Sequence, residues 1–163
     1  MRSAFGAFVF VAAVACTQPA PAPPAAPTVD TAAVTQAIGE LWNRIIVADT
    51  ANNIDAFLAE FAPSVRLDIQ GFPPLLGRAA FDSLARPVFA VRDYIALQPM
   101  PHTTIVVSND LALQGGTYTE TFVEKKKTST EYGRFATSAA RGADGQFRVV
   151  YWMAIIDSTV AAR

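Results

Sequence analysis

The stretch TTIVVSNDLALQGGTYTETF, residues 103–122, carries the pattern that decides the fold. Its first five residues are all β-branched, and the polar tripeptide SND then precedes a second β-prone run. Two such runs joined by a short polar turn are typical of an antiparallel hairpin. The stretch therefore predicts strands over 103–107 and 111–122, with a β-bulge at Gly115 and Gly116.

More β structure is predicted on both sides of this hairpin. Residues 131–141 and 147–157 flank the turn sequence GADG and predict a last hairpin. Residues 94–97 predict an extended segment that Pro99 and Pro101 interrupt.

The N-terminal half predicts helices. Asp30 or Thr31 can cap a first helix that ends near Asp49. Its apolar residues recur at helical spacing, which predicts one buried face. They are Val34, Ile38, Leu41, Trp42, Ile45 and Ile46.

Two further helices and one strand are predicted before the hairpins. Asn53 caps a second helix, whose apolar pattern continues to Phe61 and which Pro63 stops. Residues 65–69 alternate between apolar and polar side chains, as a strand with one buried face does. A third helix begins near Arg78, and Pro87 kinks or ends it. Helices followed by antiparallel strands indicate an α+β domain.

The composition excludes several classes of function. The chain has 163 residues, a net charge of −1 and a hydrophobic fraction of 52%. This charge balance gives no field for nucleic acid, and the lysine run 125–127 is interpreted as a solvated hairpin tip. One cysteine and one histidine exclude an intrachain disulfide and a multi-histidine or cysteine-cluster metal site. An oxygen-ligand site for calcium or magnesium is not excluded, although the sequence has no EF-hand spacing. We expect no metal and no cofactor.

The N-terminus indicates export. Residues 1–15 have the basic start, apolar centre and small-residue end of a signal peptide, and they are too short to span a bilayer comfortably. Cys16 follows at once and resembles the lipidated cysteine of bacterial lipoproteins; the alternative is ordinary cleavage after Ala15, which leaves a free thiol. Residues 16–28 are rich in proline and alanine and predict an extended tether. We expect a folded domain at 29–159, followed by a tail at 160–163. We expect the lipid on Cys16 to anchor the protein to a membrane of the bacterial cell envelope, with the domain facing the periplasm or exported.

Four local patterns resemble the cone-shaped nuclear transport factor 2 (NTF2)-like fold, and within it the SnoaL-like group. They are Trp42 with the sequence IDAFL at 54–58, the sequence GRAAF at 77–81, VVSNDLAL at 106–113, and YGRF at 132–135 followed by Arg141 and DGQFRV at 144–149. The resemblance implies the order α-α-β-α-β-β-β-β, with a curved mixed or antiparallel sheet wrapped around three helices to enclose a pocket. It also implies pairing of two copies through the sheet.

The same resemblance allows a comparison with ketosteroid isomerases of this fold. The position of their tyrosine donor falls near Trp42, that of their base at Ile69 or its neighbour Asp68, and that of their second acid near Thr137. Because Asp68 alternates with buried residues, it should point away from the pocket unless a bulge intervenes. At most one of the three roles is filled, so we expect a cavity without a working acid–base pair.

Several side chains are candidates for the pocket. They are Trp42, Phe61, Tyr94, His102, Tyr118, Phe122, Arg134 and Trp152. Candidate acid–base groups are His102, Asp68 and Asp157; Glu120 is also weighed and is assigned to the surface. For each of these residues, a place in the core or on the surface is the alternative.

Three hypotheses for the function follow. The first is a non-catalytic module that binds a small apolar or aromatic ligand. The second is an assembly role, with a homodimer formed through the sheet. The alternative to both is a small pocket enzyme of the isomerase, dehydratase or cyclase kind, which would use one acid–base residue.

Overall fold

The structure, a computed structural model, describes residues 28–162. The predicted signal peptide, Cys16 and nearly all of the tether lie outside these residues. Across residues 28–162, no helix has both the length and the apolar composition needed to cross a bilayer.

Within residues 28–162, three helices form, and each begins where the sequence predicts. Helix α1 is Thr31–Thr50 and is capped by Asp30, whose side chain accepts a hydrogen bond from the backbone N–H of Ala33. Helix α2 is Ile54–Ala59, with Asn53 as its cap. Helix α3 is Arg78–Phe89 and continues two residues past Pro87.

Within residues 28–162, six strands form one open, mixed sheet. They are β1 (Phe61–Ile69), β2 (Leu75–Leu76), β3 (Arg92–Ser108), β4 (Leu111–Glu124), β5 (Lys127–Arg141) and β6 (Phe147–Ala161). Their order is β2-β1-β6-β5-β4-β3, with β1 parallel to β6 and all other pairs antiparallel. The predicted α+β class and the curved sheet with three helices are therefore confirmed.

Several helix and strand boundaries differ from the predictions, and strand β5, for example, begins at Lys127 rather than at residue 131. Phe61 begins β1 rather than ending α2, because helix α2 stops at Ala59. Strand β6 reaches Ala161, so the first two residues of the predicted tail belong to the sheet.

The prediction that Pro99 and Pro101 interrupt the extended segment is wrong, because β3 runs through both prolines. Pro99 and Pro101 pair with Tyr118 and Gly116 within one strand of 17 residues. Strand β3 is an edge strand, so a residue without an N–H donor costs it no ladder hydrogen bond on the open side.

The predicted bulge lies on the partner strand. The register of β3 and β4 shifts between Pro101 and Thr103, which makes His102 the extra residue, whereas β4 pairs with β5 without a shift. Gly116 lies opposite this bulge, and a Cβ atom there would be only 2.2 Å from the carbonyl oxygen of Met100. The glycine is needed for close approach of the two backbones.

The core lies between the helices and the concave face of the sheet. Phe61, Val65 and Leu67 on β1 and Ile45 on α1 are fully buried. This packing leaves a cavity beside it, at the ends of α1 and α3.

Candidate functional site

A cavity of about 220 Å³ lies between the helices and the sheet. This is below the roughly 300–1,000 Å³ of pockets for drug-sized ligands, so the space suits a smaller molecule. Its wall is formed by Trp42, Asp49, Phe57, Phe61, Ile69, Phe72, Phe81, Leu84, Ala85, Val88, Phe89, Tyr94, Leu97, Pro99, Tyr118, Glu120, Phe135, Trp152 and Ala154. Phe72, which is 51% exposed, marks the mouth.

Aromatic rings form most of this wall. Trp42 packs against Phe135 at 5.2 Å and Trp152 at 5.5 Å between ring centroids. Phe61 contacts Phe81 at 4.9 Å and Trp152 at 5.5 Å. These spacings are those of favourable edge-to-face and tilted pairs, so the wall is preorganised.

Trp42 is anchored from the side away from the cavity. Its indole N–H donates a 2.6 Å hydrogen bond to the side-chain oxygen of Gln114 on β4. The amide nitrogen of Gln114 in turn donates to Thr104 on β3 at 2.9 Å. The polar edge of the indole is thereby satisfied, and its apolar face is left for the cavity.

Asp49 is the most unusual group in the wall. It lies in the last turn of α1, is 1% exposed, and its Oδ2 has no hydrogen-bond partner among the described residues. Burial raises the pKa of Asp49 from its ordinary 3.8 to about 7. The last turn of a helix carries partial negative charge, which also disfavours the anion.

Glu120 is the second carboxyl of the wall. It lies on β4 directly opposite Glu131 of β5, so two like charges share one face of the sheet. Burial raises its pKa from 4.5 to about 8, with smaller contributions from the charges of Asp49 and Glu131 and a lowering by Arg92. The charge of Asp49 therefore contributes to the raised pKa of Glu120, whereas the raised pKa of Asp49 comes from burial alone.

Arg92, whose charge lowers the pKa of Glu120, is committed to other groups. Arg92 pairs with Glu131 at 3.2 Å and with Glu124 at 3.2 Å, and its guanidinium lies 4.0 Å from the ring centroid of Phe122. Within residues 28–162, no basic side chain lies within 4.0 Å of the carboxyl of Asp49 or Glu120. The pair therefore has no counter-ion of its own among the described residues.

Two phenols complete the polar part of the wall. Burial raises the pKa of both Tyr94 and Tyr118, so both stay protonated and can donate a hydrogen bond. The ring of Tyr118 lies across Gly133 of the next strand, where an added Cβ would be 2.5 Å from it. Gly133 therefore makes the room that lets this ring face the cavity.

The structure brings together five of the eight predicted pocket residues. Trp42, Phe61, Tyr94, Tyr118 and Trp152 all line the cavity. The other three lie elsewhere. Phe122 is buried behind Tyr94, with 6.1 Å between ring centroids. Arg134 and His102 face solvent.

None of the three predicted acid–base candidates reaches the cavity. His102 is the exposed bulge residue of β3, and its ring lies 3.2 Å from the hydroxyl of Thr117. Asp68 lies on the other face of β1, where a hydrogen bond from Arg66 holds its pKa low. Asp157 forms an exposed ion pair with Arg134 at 2.7 Å. Alternation along the strands and a bulge turn these side chains outward.

The two wall carboxyls, Asp49 and Glu120, are not among the pocket or acid–base residues that the sequence predicts. The sequence analysis uses Asp49 only to mark the end of the first helix, although Asp49 lies four residues after Ile45 and seven after Trp42 on the apolar stripe. For Glu120 a place in the cavity was weighed and the surface preferred, although Glu120 shares the inward face of its strand with Tyr118 and Phe122. In both cases the sequence feature that indicates a wall position is a charged residue at the spacing of the buried residues of its own helix or strand.

Comparison with solved structures identifies the architecture. A ketosteroid isomerase-like protein from Erwinia carotovora atroseptica superposes with a TM-score of 0.66 at 14% identity, over 76% of this chain and 95% of the other. A type-3 hexachlorocyclohexane dehydrochlorinase from Novosphingobium barchaimii gives 0.65 at 15% identity, over 80% and 91%. An NTF2-like protein of unknown function from Shewanella oneidensis gives 0.60 at 16% identity, over 74% and 97%. The domain has the NTF2-like fold.

The predicted resemblance is thereby confirmed at the level of the fold. No protein-family model and no curated protein matches the chain. NTF2-like neighbours include isomerase, dehydratase and dehydrochlorinase names as well as proteins of unknown function. The fold therefore gives no reaction by itself, and the function has to be argued from the cavity.

Proposed function

We propose that this NTF2-like domain is a small pocket enzyme that moves a proton on a small, largely apolar organic substrate. The observation that carries the proposal is the pair Asp49 and Glu120 in an aromatic cavity. A non-catalytic binding module was the first hypothesis from sequence. A cavity that only held an apolar ligand would gain nothing from a buried carboxyl with an unpartnered oxygen, which costs stability.

The raised pKa values suit this role. A general base works best when its pKa lies near the ambient pH, and the values of about 7 and about 8 meet that condition. One carboxyl of such a pair can take a proton from substrate while the other still holds one. The phenols of Tyr94 and Tyr118 can donate hydrogen bonds to negative charge that develops on the substrate.

The names of the structural neighbours agree with this class of chemistry. Isomerisation, dehydration and dehydrochlorination each involve removal of a proton from an organic molecule. We carry over this shared step only. The proposed setting is the bacterial cell envelope, with the domain held at a membrane through lipid on Cys16 and paired through its sheet.

A base-probe reaction tests the proposal without knowledge of the substrate. In 5-nitrobenzisoxazole, a base removes the C–H proton while the N–O bond breaks, and the product is a coloured cyanophenolate. The purified protein should show saturable turnover, about 10²–10⁴-fold faster than free carboxylate at the same pH. The rate should rise with pH through about 7 to 8 as the pair loses its protons.

Matched variants assign that rate to the pair. Asp49→Asn and Glu120→Gln should each lower it at least tenfold, whereas the exposed Asp93→Asn should leave it unchanged. Equal rates in the wild type and in the Asp49→Asn/Glu120→Gln double variant would refute the proposal. Binding of a neutral aromatic molecule without turnover would then favour the hypothesis of a non-catalytic binding module.

A further inference from the structure

We propose that the cavity takes an organic cation, a small molecule with an ammonium group attached to an apolar or aromatic body. This inference rests on the proposed site and specifies its ligand class. It is carried by the juxtaposition of two carboxyls that lack a counter-ion with a wall of aromatic rings.

The first argument is charge. Asp49 is buried, lines the cavity and has an unpartnered Oδ2 among the described residues. Glu120 shares the wall, and the neighbouring cation Arg92 is committed to Glu131 and Glu124. Only positive charge from outside the wall, a proton or a cation, can neutralise the pair. An ammonium group supplies that charge together with N–H donors for the free carboxyl oxygen.

The second argument is the aromatic wall. Ring faces carry negative potential and attract cations, most strongly when the site is dry. Trp42, Trp152, Phe135, Tyr94 and Tyr118 all line this cavity. Aromatic rings with a carboxylate form the usual recognition site for an ammonium group. An anionic ligand would meet repulsion here, since no basic side chain of residues 28–162 lines the wall.

The third argument is the coupling between ligand and proton. The groups that face the pair are Tyr94 and Arg92 on β3, Tyr118 on β4 and Glu131 on β5, and of these only Arg92 is positive. A bound cation would replace the proton that the pair holds at neutral pH. Binding should therefore release a proton, which a neutral ligand of the same shape would not do.

The size of the cavity sets the choice of probes. About 220 Å³ admits a single ring with a short substituent. Benzylammonium, benzyl alcohol and benzoate share one ring and one carbon linker and differ in charge. Both tryptophans of the chain line the cavity, so intrinsic fluorescence reports their binding directly.

The experiment compares these three probes on the purified protein by fluorescence and by titration calorimetry in two buffers of different ionisation enthalpy. At pH 7.5, benzylammonium should bind at least tenfold more tightly than benzyl alcohol and should release up to one proton, and benzoate should be weakest. Asp49→Asn and Glu120→Gln should each remove the preference for the cation, whereas Asp93→Asn should keep it. Asn at position 49 removes a buried titrating group, so this variant is expected to fold.

Equal or tighter binding of benzyl alcohol, or a cation preference that survives in the double variant, would overturn the inference. The base-probe rate, measured on the same samples, separates the two claims. Turnover of the base probe without a preference for the cation would refute only the proposed ligand class. A preference for the cation without turnover would refute only the proposed proton-transfer function.

Discussion

Replacing Asp49 by asparagine should remove a loss of stability that the wild type suffers as pH rises towards and past neutrality. In the folded protein Asp49 titrates at about 7, against an ordinary 3.8 when it is exposed. Between these two values the folded state holds a proton that the unfolded chain has lost. Stability of the wild type therefore falls as pH rises through this window, by about 1.4 kcal/mol per pH unit. Over about 3 pH units the loss reaches about 4 kcal/mol.

Asparagine does not titrate, so the variant escapes this loss. The free energy of unfolding of Asp49→Asn minus that of the wild type should grow by up to about 4 kcal/mol between pH 4 and pH 8. Loss of the Asp49 charge also eases ionisation of Glu120, which acts in the same direction. The constant cost of burying an amide cancels in this comparison, since it is the same at both pH values.

Urea denaturation at several pH values, followed by tryptophan fluorescence, measures the difference. The exposed Asp93→Asn serves as the matched control, and its difference from the wild type should stay flat. If the Asp49→Asn difference is constant to within about 0.5 kcal/mol from pH 4 to pH 8, Asp49 does not hold a proton in the folded protein and the reasoning fails.

Three further outcomes test the fold and its setting. Gly133→Ala should destabilise the domain by about 1–3 kcal/mol in thermal denaturation, because the added Cβ would lie 2.5 Å from the Tyr118 ring of the cavity wall. The control Gly39→Ala should stabilise the domain, because open space surrounds its Cβ in helix α1. Equal effects of the two substitutions would contradict the assigned packing. Cys16→Ser should move the protein from the membrane fraction to the soluble fraction, and a variant that stays with the membrane would refute the lipid anchor. Analytical ultracentrifugation at micromolar concentration should show a homodimer. The double variant Ile105→Glu/Leu113→Glu should be monomeric, because it places charge on a cross-strand apolar pair that is exposed on the outer face of the sheet. A monomeric wild type would contradict pairing through the sheet.

Local signals predicted the starts of the three helices and the approximate positions of most strands. Asp30 and Asn53 are caps in the structure because their side chains satisfy free N–H groups at a helix start, which depends on a few neighbouring residues only. The continuity of β3 was missed because it depends on tertiary position. Pro99 and Pro101 break a central strand but are tolerated at an edge, and sequence spacing does not show which strand becomes the edge.

The cavity was predicted in its apolar part and missed in its polar part. Trp42, Tyr118 and Trp152 follow apolar periodicity, so their wall positions could be anticipated. Asp49 and Glu120 follow the same periodicity, but charged residues are rarely buried, and that general expectation placed Glu120 at the surface. Their place in one cavity wall depends on how α1 packs over the sheet, which no local pattern encodes.

The side-chain carboxyl titration of Asp49 and Glu120 tests the central claim most directly. It can be followed by carbon-13 NMR of the purified protein, with Asp49→Asn and Glu120→Gln used to assign the two signals. The account predicts two transitions, with apparent pKa values of about 7 for Asp49 and about 8 for Glu120, far above those of exposed carboxyls. Two independent transitions near pH 4 would show that the pair is ionised and solvated at neutral pH, and would contradict the account.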